Sequence, residues 1–282
     1  MDQYSTFRVG GRAEAICFPS ELALLRQVVS FLSNSDIPYL VIGKGSNLLV
    51  RDGGIEGIVI ILRGELAAIV KDGEGGDTLR AGGGATIGDL LSYCADNNLS
   101  GPEFLAGIPG TMGGAVFMNA GAFGKELGEM VEEIYVVTRG GELVVMGRSQ
   151  LAFSYRQLSL AGGTVIHGVK LRLHKDTGVG VRGRILDYLR RRKESQPLDL
   201  PSAGSVFRNP PGDYAGRLIE GAGLKGKRIG GAMISRKHAN FIVNSGGARA
   251  GDVLSLMDLA RNRVRDMTGI ELEPEIRIVG RK

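Results

Sequence analysis

The residues in this chain best suited to chemistry begin with two glycine-rich stretches. GIPGTMGGAVFMNAGA, residues 107–122, holds five glycines, three alanines, one proline (Pro109) and single polar groups at Thr111 and Asn119. Glycine turns through positive φ and lets another body approach without meeting a Cβ. A dense run of small residues with exposed N–H groups therefore forms a concave nest for anionic oxygens. Thr111 is placed to cap a short helix whose N-terminus adds positive partial charge at the same spot. Taken alone, the stretch also fits a glycine-rich turn with tight helix packing. A second stretch, VIGKGSNLLV at 41–50, shifts the balance toward a ligand. Two phosphate-sized cradles suit one long ligand with a pyrophosphate.

Elements of known type must position these stretches. TFRVGGRAEAICFP (6–19) reads as two short strands around a Gly10–Gly11 turn. Ser20 then caps a helix, with Glu21 in its first turn and Leu22, Leu25, Val28, Val29 and Leu32 on one face. Pro38 precedes a strand, YLVI (39–42), which runs into GKGSN. A Rossmann dinucleotide site would need GxGxxG followed by a long helix. Here a turn arrives at Asp52–Gly54 and then a strand, GIVIIL (57–62), so the loop links strand to strand. TLRAGGGA (78–85) is strand and turn. Thr86 and Asp89 form a capping-box pattern for a helix with Ile87, Leu90, Leu91 and Cys94 inward. EEIYVVTR (132–139), ELVVM (142–146) and TVIHGVKLRL (164–173) alternate as an antiparallel or mixed sheet would, with turns at Arg139–Gly141 and Gly162–Gly163. After Lys175 the texture turns helical. A helix over about 180–194 puts Ile185, Leu186 and Leu189 inward. QPLDLPSAGSVFRNPPGDY (196–214) is a long loop with four prolines and no obvious regular structure, and loops of that length are usually functional. Helices follow at 213–222 and 251–267, then a strand at ELEPEIRIV (271–279).

Composition narrows the class. At 282 residues the chain can bury a full core and form two domains. Its 45 glycines are balanced by 43% hydrophobic residues, which favours tight turns and ligand contacts over disorder. A net charge of +5, densest around 182–193, suits anionic small molecules. No aromatic-studded basic surface marks nucleic acid as a partner. Cys17 and Cys94 lack metal-like spacing and read as small buried residues of a reduced, cytoplasmic protein. His167 and His174 lie in a β segment without ligand partners, so no metal is assigned. No apolar run reaches the ~18 residues needed to span a bilayer, and the N-terminus carries no signal-peptide pattern.

Five stretches stand in order: GKGSNLL (43–49), GIPGTMGGAVFMNAGA (107–122), FSYR (153–156), PSAGSVFRNP (201–210) and LEPEIRIVG (272–280). Together they resemble the bacterial UDP-N-acetylenolpyruvoylglucosamine reductases, flavoenzymes that complete UDP-N-acetylmuramate for peptidoglycan. The resemblance covers nearly the whole chain. It implies an α+β protein: a vanillyl-alcohol-oxidase-like (PCMH-type) FAD-binding fold of two subdomains plus an α/β substrate-binding domain. The FAD-binding region would be 1–174, in subdomains of about 1–60 and 61–174. The substrate domain would be 175–268, and 269–282 a strand returning to the active site. The chain looks like the shorter form of the family, starting close to its TFRVGG-like segment.

The resemblance also implies roles. Gly43, Lys44, Gly45, Ser46, Asn47 and Leu48 would hold non-covalent FAD, together with Gly107, Ile108, Pro109, Gly110, Thr111, Gly113, Gly114, Asn119, Gly121 and Ala122. NADPH would reduce the flavin and leave, and the enolpyruvyl ether would take its place. Hydride arrives at C3 and leaves negative charge at C2, spread into the adjacent carboxylate. That charge needs preorganised partners and a proton donor close by. Ser205 matches the family's proton donor; a serine hydroxyl, a very weak acid, suits a base as strong as an enolate. Arg156 matches the active-site arginine, a permanent cation able to grip a carboxylate. Glu275 matches the catalytic glutamate, expected protonated or hydrogen-bonded, since a bare carboxylate would oppose the intermediate. Without the motifs these three read as a loop serine, a surface arginine and a solvated glutamate. Tyr155, Lys193, Arg208, Asn209 and Asn240 are softer candidates for the substrate, and His238 reads as structural. A flavin oxidase of the same fold would usually carry a histidine or cysteine for covalent attachment near the glycine motifs, and no histidine lies near either. A non-catalytic nucleotide-sugar binder would not need Arg156, Ser205 and Glu275 together. No membrane or protein partner is implied, and a monomer is expected.

Overall fold

The computed structural model describes residues 1–73 and 76–282. In chain order the regular elements begin with β1 (Ala13–Cys17), α1 (Leu22–Asn34), β2 (Tyr39–Val41), β3 (Leu48–Val50), β4 (Ile55–Ile60), β5 (Ile69–Lys71), β6 (Thr78–Gly82), α2 (Ile87–Asp96) and β7 (Leu99–Ser100). They continue with α3 (Met112–Phe117), β8 (Gly121–Ala122), β9 (Lys125–Glu126), β10 (Val131–Val137), β11 (Leu143–Gly147), β12 (Phe153–Ser154), β13 (Gln157–Leu158), β14 (Val165–Arg172) and β15 (His174–Lys175). The last are α4 (Gly178–Ser195), β16 (Ser202–Ser205), α5 (Ala215–Gly221), β17 (Arg228–Ile229), β18 (Ala232–Ile234), β19 (Phe241–Asn244), α6 (Ala250–Thr268) and β20 (Arg277–Val279).

The chain forms two compact units. One comprises residues 15–43 and 57–190. Its main sheet is antiparallel, in the order β11-β10-β14-β6-β5. Period-2 alternation decides which face is buried. In β10, Val131, Ile134 and Val136 enter the core while Glu132, Glu133 and Tyr135 remain partly exposed. Two register shifts against β14, at Val131/Glu133 and Tyr135/Val136, accommodate that uneven pattern. Helix α2 packs Ile87, Leu90, Leu91 and Cys94 into this core, as its spacing predicts. Its capping box is present, with Asp89 N–H donating to Thr86 Oγ1 and Thr86 N–H to Asp89 Oδ2, both at 3.1 Å. A smaller sheet, β1-β4-β2, has β2 and β4 parallel, and α1 covers it through Leu25, Val29 and Leu32.

The other unit joins residues 1–14, 44–56 and 191–282. It has a four-stranded antiparallel sheet, β16-β19-β18-β17, and a parallel pair, β3 with β20. Helices α5 and α6 share its core with Phe7, Leu49, Phe207 and Ile242. Asp52 caps α6, accepting from Ala250 and Gly251 N–H at 2.9 and 3.0 Å. Gly269, at φ +74°, ends that helix in the left-handed conformation.

Five local expectations are corrected. Residues 6–12 form no strand, because Arg8 and Gly10 both turn through positive φ. Helix α1 is capped at Glu21 rather than Ser20, and Leu22 N–H is met by Glu65 Oε1 at 2.6 Å. In α4 the inward line is Val181, Ile185 and Tyr188; Leu186 is 66% exposed and Leu189 also faces out. The segment 196–214 contains a strand, β16, which carries Ser205. The final strand shrinks to 277–279, and residues 273–275 before it pair instead with 206–208.

Candidate active site

Each glycine stretch is described within its own unit. Gly45 has φ +61°, and a Cβ there would overlap Tyr4 O, so only glycine fits. Its carbonyl accepts from Thr6 N–H, Asn47 O accepts from Arg277 N–H at 2.9 Å, and Asn47 Nδ2 donates to Glu275 O at 3.2 Å. The loop is thus braced on both sides. The N–H groups of Lys44, Gly45 and Ser46 have no acceptor among the described residues. Three consecutive unspent donors around a left-handed glycine are the geometry of an anion nest.

The second stretch works differently from the sequence expectation. Thr111 stands at the start of α3, but its side chain makes no capping bond, and the helix is six residues long. Met112 and Gly113 N–H are spent on Ala85 O and Gly83 O, each at 2.8 Å. The helix terminus therefore keeps fewer donors than the sequence suggests. What remains open are the N–H groups of Gly110, Thr111 and Gly114, which have no acceptor among the described residues. Several glycines serve internal packing. A Cβ on Gly43 would overlap the Thr111 hydroxyl, one on Gly113 would lie 3.0 Å from Ile166 O, and one on Gly121 would lie 2.9 Å from Arg156 Nη1. Asn119 is 1% exposed: its Nδ2 donates to Glu126 Oε2 (2.7 Å) and Ser154 O (3.0 Å), and its Oδ1 accepts from Gly128 N–H (2.9 Å). Its amide is thus engaged within the protein. It braces the hairpin that presents Arg156.

That hairpin is β12–β13, turning at Tyr155–Arg156. Arg156 sits at φ +58°, a conformation that costs a residue with a Cβ. Its guanidinium lies 5.0 Å from the Tyr155 ring centroid. Tyr155 itself is exposed.

In the other unit, Ser205 ends β16 opposite Phe241, directly after Gly204 at φ +77°. Glu275 N–H donates to Val206 O at 2.8 Å, Phe207 bridges Pro274, and Arg208 N–H donates to Glu273 O at 2.9 Å. Segments 205–208 and 273–276 therefore run side by side, with Glu275 opposite Val206, the residue after Ser205. Ser205 is half-buried, and its hydroxyl makes no hydrogen bond among the described residues. The Nε of Arg208 is buried without a hydrogen-bond partner among them. A half-buried guanidinium with one buried, unmet donor is a group that gains from an anionic ligand.

A family model described as "UDP-N-acetylenolpyruvoylglucosamine reductase, C-terminal domain" matches residues 196–279, and one described as "FAD binding domain" matches 13–147. A UDP-N-acetylenolpyruvoylglucosamine reductase from Clostridium botulinum (strain 657 / Type Ba4) is 41% identical over 99% of this chain and 90% of its own length. The one from Syntrophus aciditrophicus is 43% identical over the same shares. The chain belongs to the UDP-N-acetylenolpyruvoylglucosamine reductase family. The crystal structure of the Thermus caldophilus reductase covers 98% of this chain and 96% of its own, with a TM-score of 0.85 and 39% identity. The expected α+β architecture with an FAD-binding domain is thereby shown.

Within the reductase family's pattern, three further candidates look different in three dimensions. Asn240 is 3% exposed, and both ends of its amide are held by Phe207: Oδ1 accepts from the N–H at 3.0 Å and Nδ2 donates to the carbonyl at 2.8 Å. Both polar ends of the side chain are thus spent on the main chain of Phe207. Asn209 is exposed, with Oδ1 accepting from Ala215 N–H at 3.1 Å at the start of α5. Lys193 is exposed on α4, and its carbonyl accepts from Lys237 Nζ. His238 is structural as expected: Nδ1 accepts from Asn240 N–H, and burial, then Lys225, lowers its pKa. Cys94 is buried, which pushes its thiol up to about 12, and Cys17 is half-buried. Among the described residues no cluster suits a metal, and no helix is long and apolar enough to cross a membrane. The sequence reading missed the left-handed Gly204 and the N-terminal brace at Tyr4–Thr6; the small-residue run AGS hinted at the first, and nothing local marked the second.

Proposed function

We propose that the chain reduces the enolpyruvyl ether of UDP-N-acetylglucosamine enolpyruvate to UDP-N-acetylmuramate, with NADPH as the source of electrons, in peptidoglycan precursor synthesis. It is an FAD-dependent oxidoreductase of its family. The observation that supports the mechanism is the pairing of segments 205–208 and 273–276, the two short stretches that carry Ser205 and Glu275. FAD would be held non-covalently: the unspent N–H groups of Lys44–Ser46 suit a phosphate oxygen, and so, in the other unit, do those of Gly110, Thr111 and Gly114. When bound there, FAD reduced by NADPH would be the source of hydride for C3 of the enolpyruvyl group.

The chain's own residues do the rest. Arg156 grips the substrate carboxylate and offsets the charge that spreads into it. Ser205 Oγ delivers a proton to C2 and regains one through water. Glu275, protonated or hydrogen-bonded, stands beside the developing charge. Arg208, with its unmet Nε donor, takes up anionic charge of the nucleotide sugar, and Asn209, Lys193 and Tyr155 are assigned to the substrate with it. The FAD-binding region is assigned to 1–174 and the substrate domain to 175–268. Residues 269–282 return to the site, an assignment supported by the parallel pairing of β20 with β3, directly after the Lys44–Asn47 loop. The enzyme is taken to act as a cytoplasmic monomer.

Rapid-mixing absorbance at the flavin band tests this reading. NADPH should bleach the flavin, and the enolpyruvyl substrate should restore its colour. Ser205→Ala should leave the first phase in place and slow the second by roughly 10²–10⁴-fold. Recolouring at the native rate in that variant would remove Ser205 from the mechanism.

A further inference from the structure

We infer that Asn240 is a positioning residue for proton delivery by Ser205, an inference that rests on the role proposed above for that serine. Asn240 closes the turn between β18 and β19, a turn fixed by Ser235 Oγ accepting from Lys237 and His238 N–H at 3.1 and 3.3 Å. From there it makes three hydrogen bonds to the two residues that follow Ser205. Its main-chain carbonyl accepts from Val206 N–H at 2.8 Å, and its amide meets both the N–H and the C=O of Phe207. The side chain thus supplies a donor and an acceptor where a strand would present a peptide, and continues the sheet past the Ser205–Phe241 pair. Val206 O, on the same short segment, receives Glu275 N–H. One buried amide therefore sets the path of the chain leaving Ser205 and, through Val206, the segment that carries Glu275.

The clamp acts where the ladder is irregular: the register against β19 shifts between Ser202 and Ser205, around Gly204 at φ +77°, and no heavy atom packs where a Gly204 Cβ would lie. Removing the amide would leave the N–H and C=O of Phe207, a residue 1% exposed, without partners. A proton donor must sit within hydrogen-bond reach of the carbon it protonates, and a misplacement of about 1 Å costs on the order of 10²-fold in rate.

The test uses the flavin-loaded enzyme with Asn240→Ala and Asn240→Asp, beside Ser205→Ala. Asp keeps the shape and the acceptor but loses the Nδ2 donor, so it carries the test should the Ala variant fail to take up flavin. Both Asn240 variants should be reduced by NADPH within about twofold of the native rate and bind the substrate with little change in Kd. Their recolouring by substrate should slow by on the order of 10²-fold. The solvent deuterium isotope effect on that phase should rise above the native value as proton delivery becomes limiting. In the flavin-free chain, amide exchange of the peptide over 203–208 should quicken. Native recolouring and an unchanged isotope effect in the Asn240 variants, with Ser205→Ala slow, would overturn the inference alone. Equal slowing of both phases would overturn it too, as the mark of a general structural defect. Native recolouring in Ser205→Ala would instead bring down the reading of Ser205 beneath it.

Discussion

Arg156 is the residue at which function and stability pull apart most plainly. Its φ of +58° costs a non-glycine residue on the order of 1–3 kcal/mol. Glycine is the residue a stable turn would choose there. Arg156→Gly should therefore hold or raise Tm while cutting kcat/KM by roughly 10²–10³-fold, the cost of losing a charge-stabilising group. A variant that gained stability and kept its activity would show that the guanidinium has no part in the reaction. The types and order of Arg156, Ser205 and Glu275 were legible because each lies in a dense motif. Asn119 and Asn240 were not legible. A sequence shows an asparagine in a motif, but not whether its amide points out to a ligand or in to a backbone, and here both point in.

At the scale of elements, local signals were read correctly and non-local ones were not. The capping box of α2 lies within four residues and was plain from Thr86 and Asp89. The inward line of α4 depends on what the helix meets, and the expected face was one residue off. Two of the donors expected at the start of α3 are taken for the same reason, since Ala85 and Gly83 come from an earlier part of the sequence to accept from Met112 and Gly113. Gly43 was read as a ligand contact, and the structure gives it a packing duty as well, against Thr111. Gly43→Ala should strain that contact by about 1–3 kcal/mol. Tm should then drop by roughly 2–4 °C per kcal/mol, and the fraction of enzyme purified with flavin should fall with it. Native Tm and full flavin content in this variant would mean that the Thr111 contact relaxes without consequence.

At the scale of the whole molecule, acid should be felt through histidine. Burial first, then Arg80, lowers the pKa of His167 from 6.5 to about 4. In the unfolded chain the imidazole takes a proton near its ordinary value, while the folded chain refuses it until about pH 4. The unfolded state therefore binds more protons in that window, and stability falls as pH drops from about 6.5 to about 4. His238 is shifted in the same direction. Urea midpoints from pH 7 to 4.5 should show the decline, and His167→Gln should flatten part of it; an equal slope in that variant would assign the acid sensitivity elsewhere. The division of the chain into units was the least legible feature. No shift of composition marks residues 14, 43 or 56, and the partners that draw those segments together lie some two hundred positions downstream.

The parallel pair of β3 with β20 sets an order of manufacture. Everything the five-stranded sheet needs has been synthesised once β14 is complete at Arg172. The loop at Lys44–Asn47 must wait for Arg277 and Glu275 to supply its braces. At ribosomal speed the intervening hundred or so residues take roughly 5–20 s. During that interval one unit can be folded while the other has no C-terminal half to fold with. Capture of the flavin thus becomes an event that follows translation, and the earliest glycine motif in the chain is among the last parts of the protein to be finished.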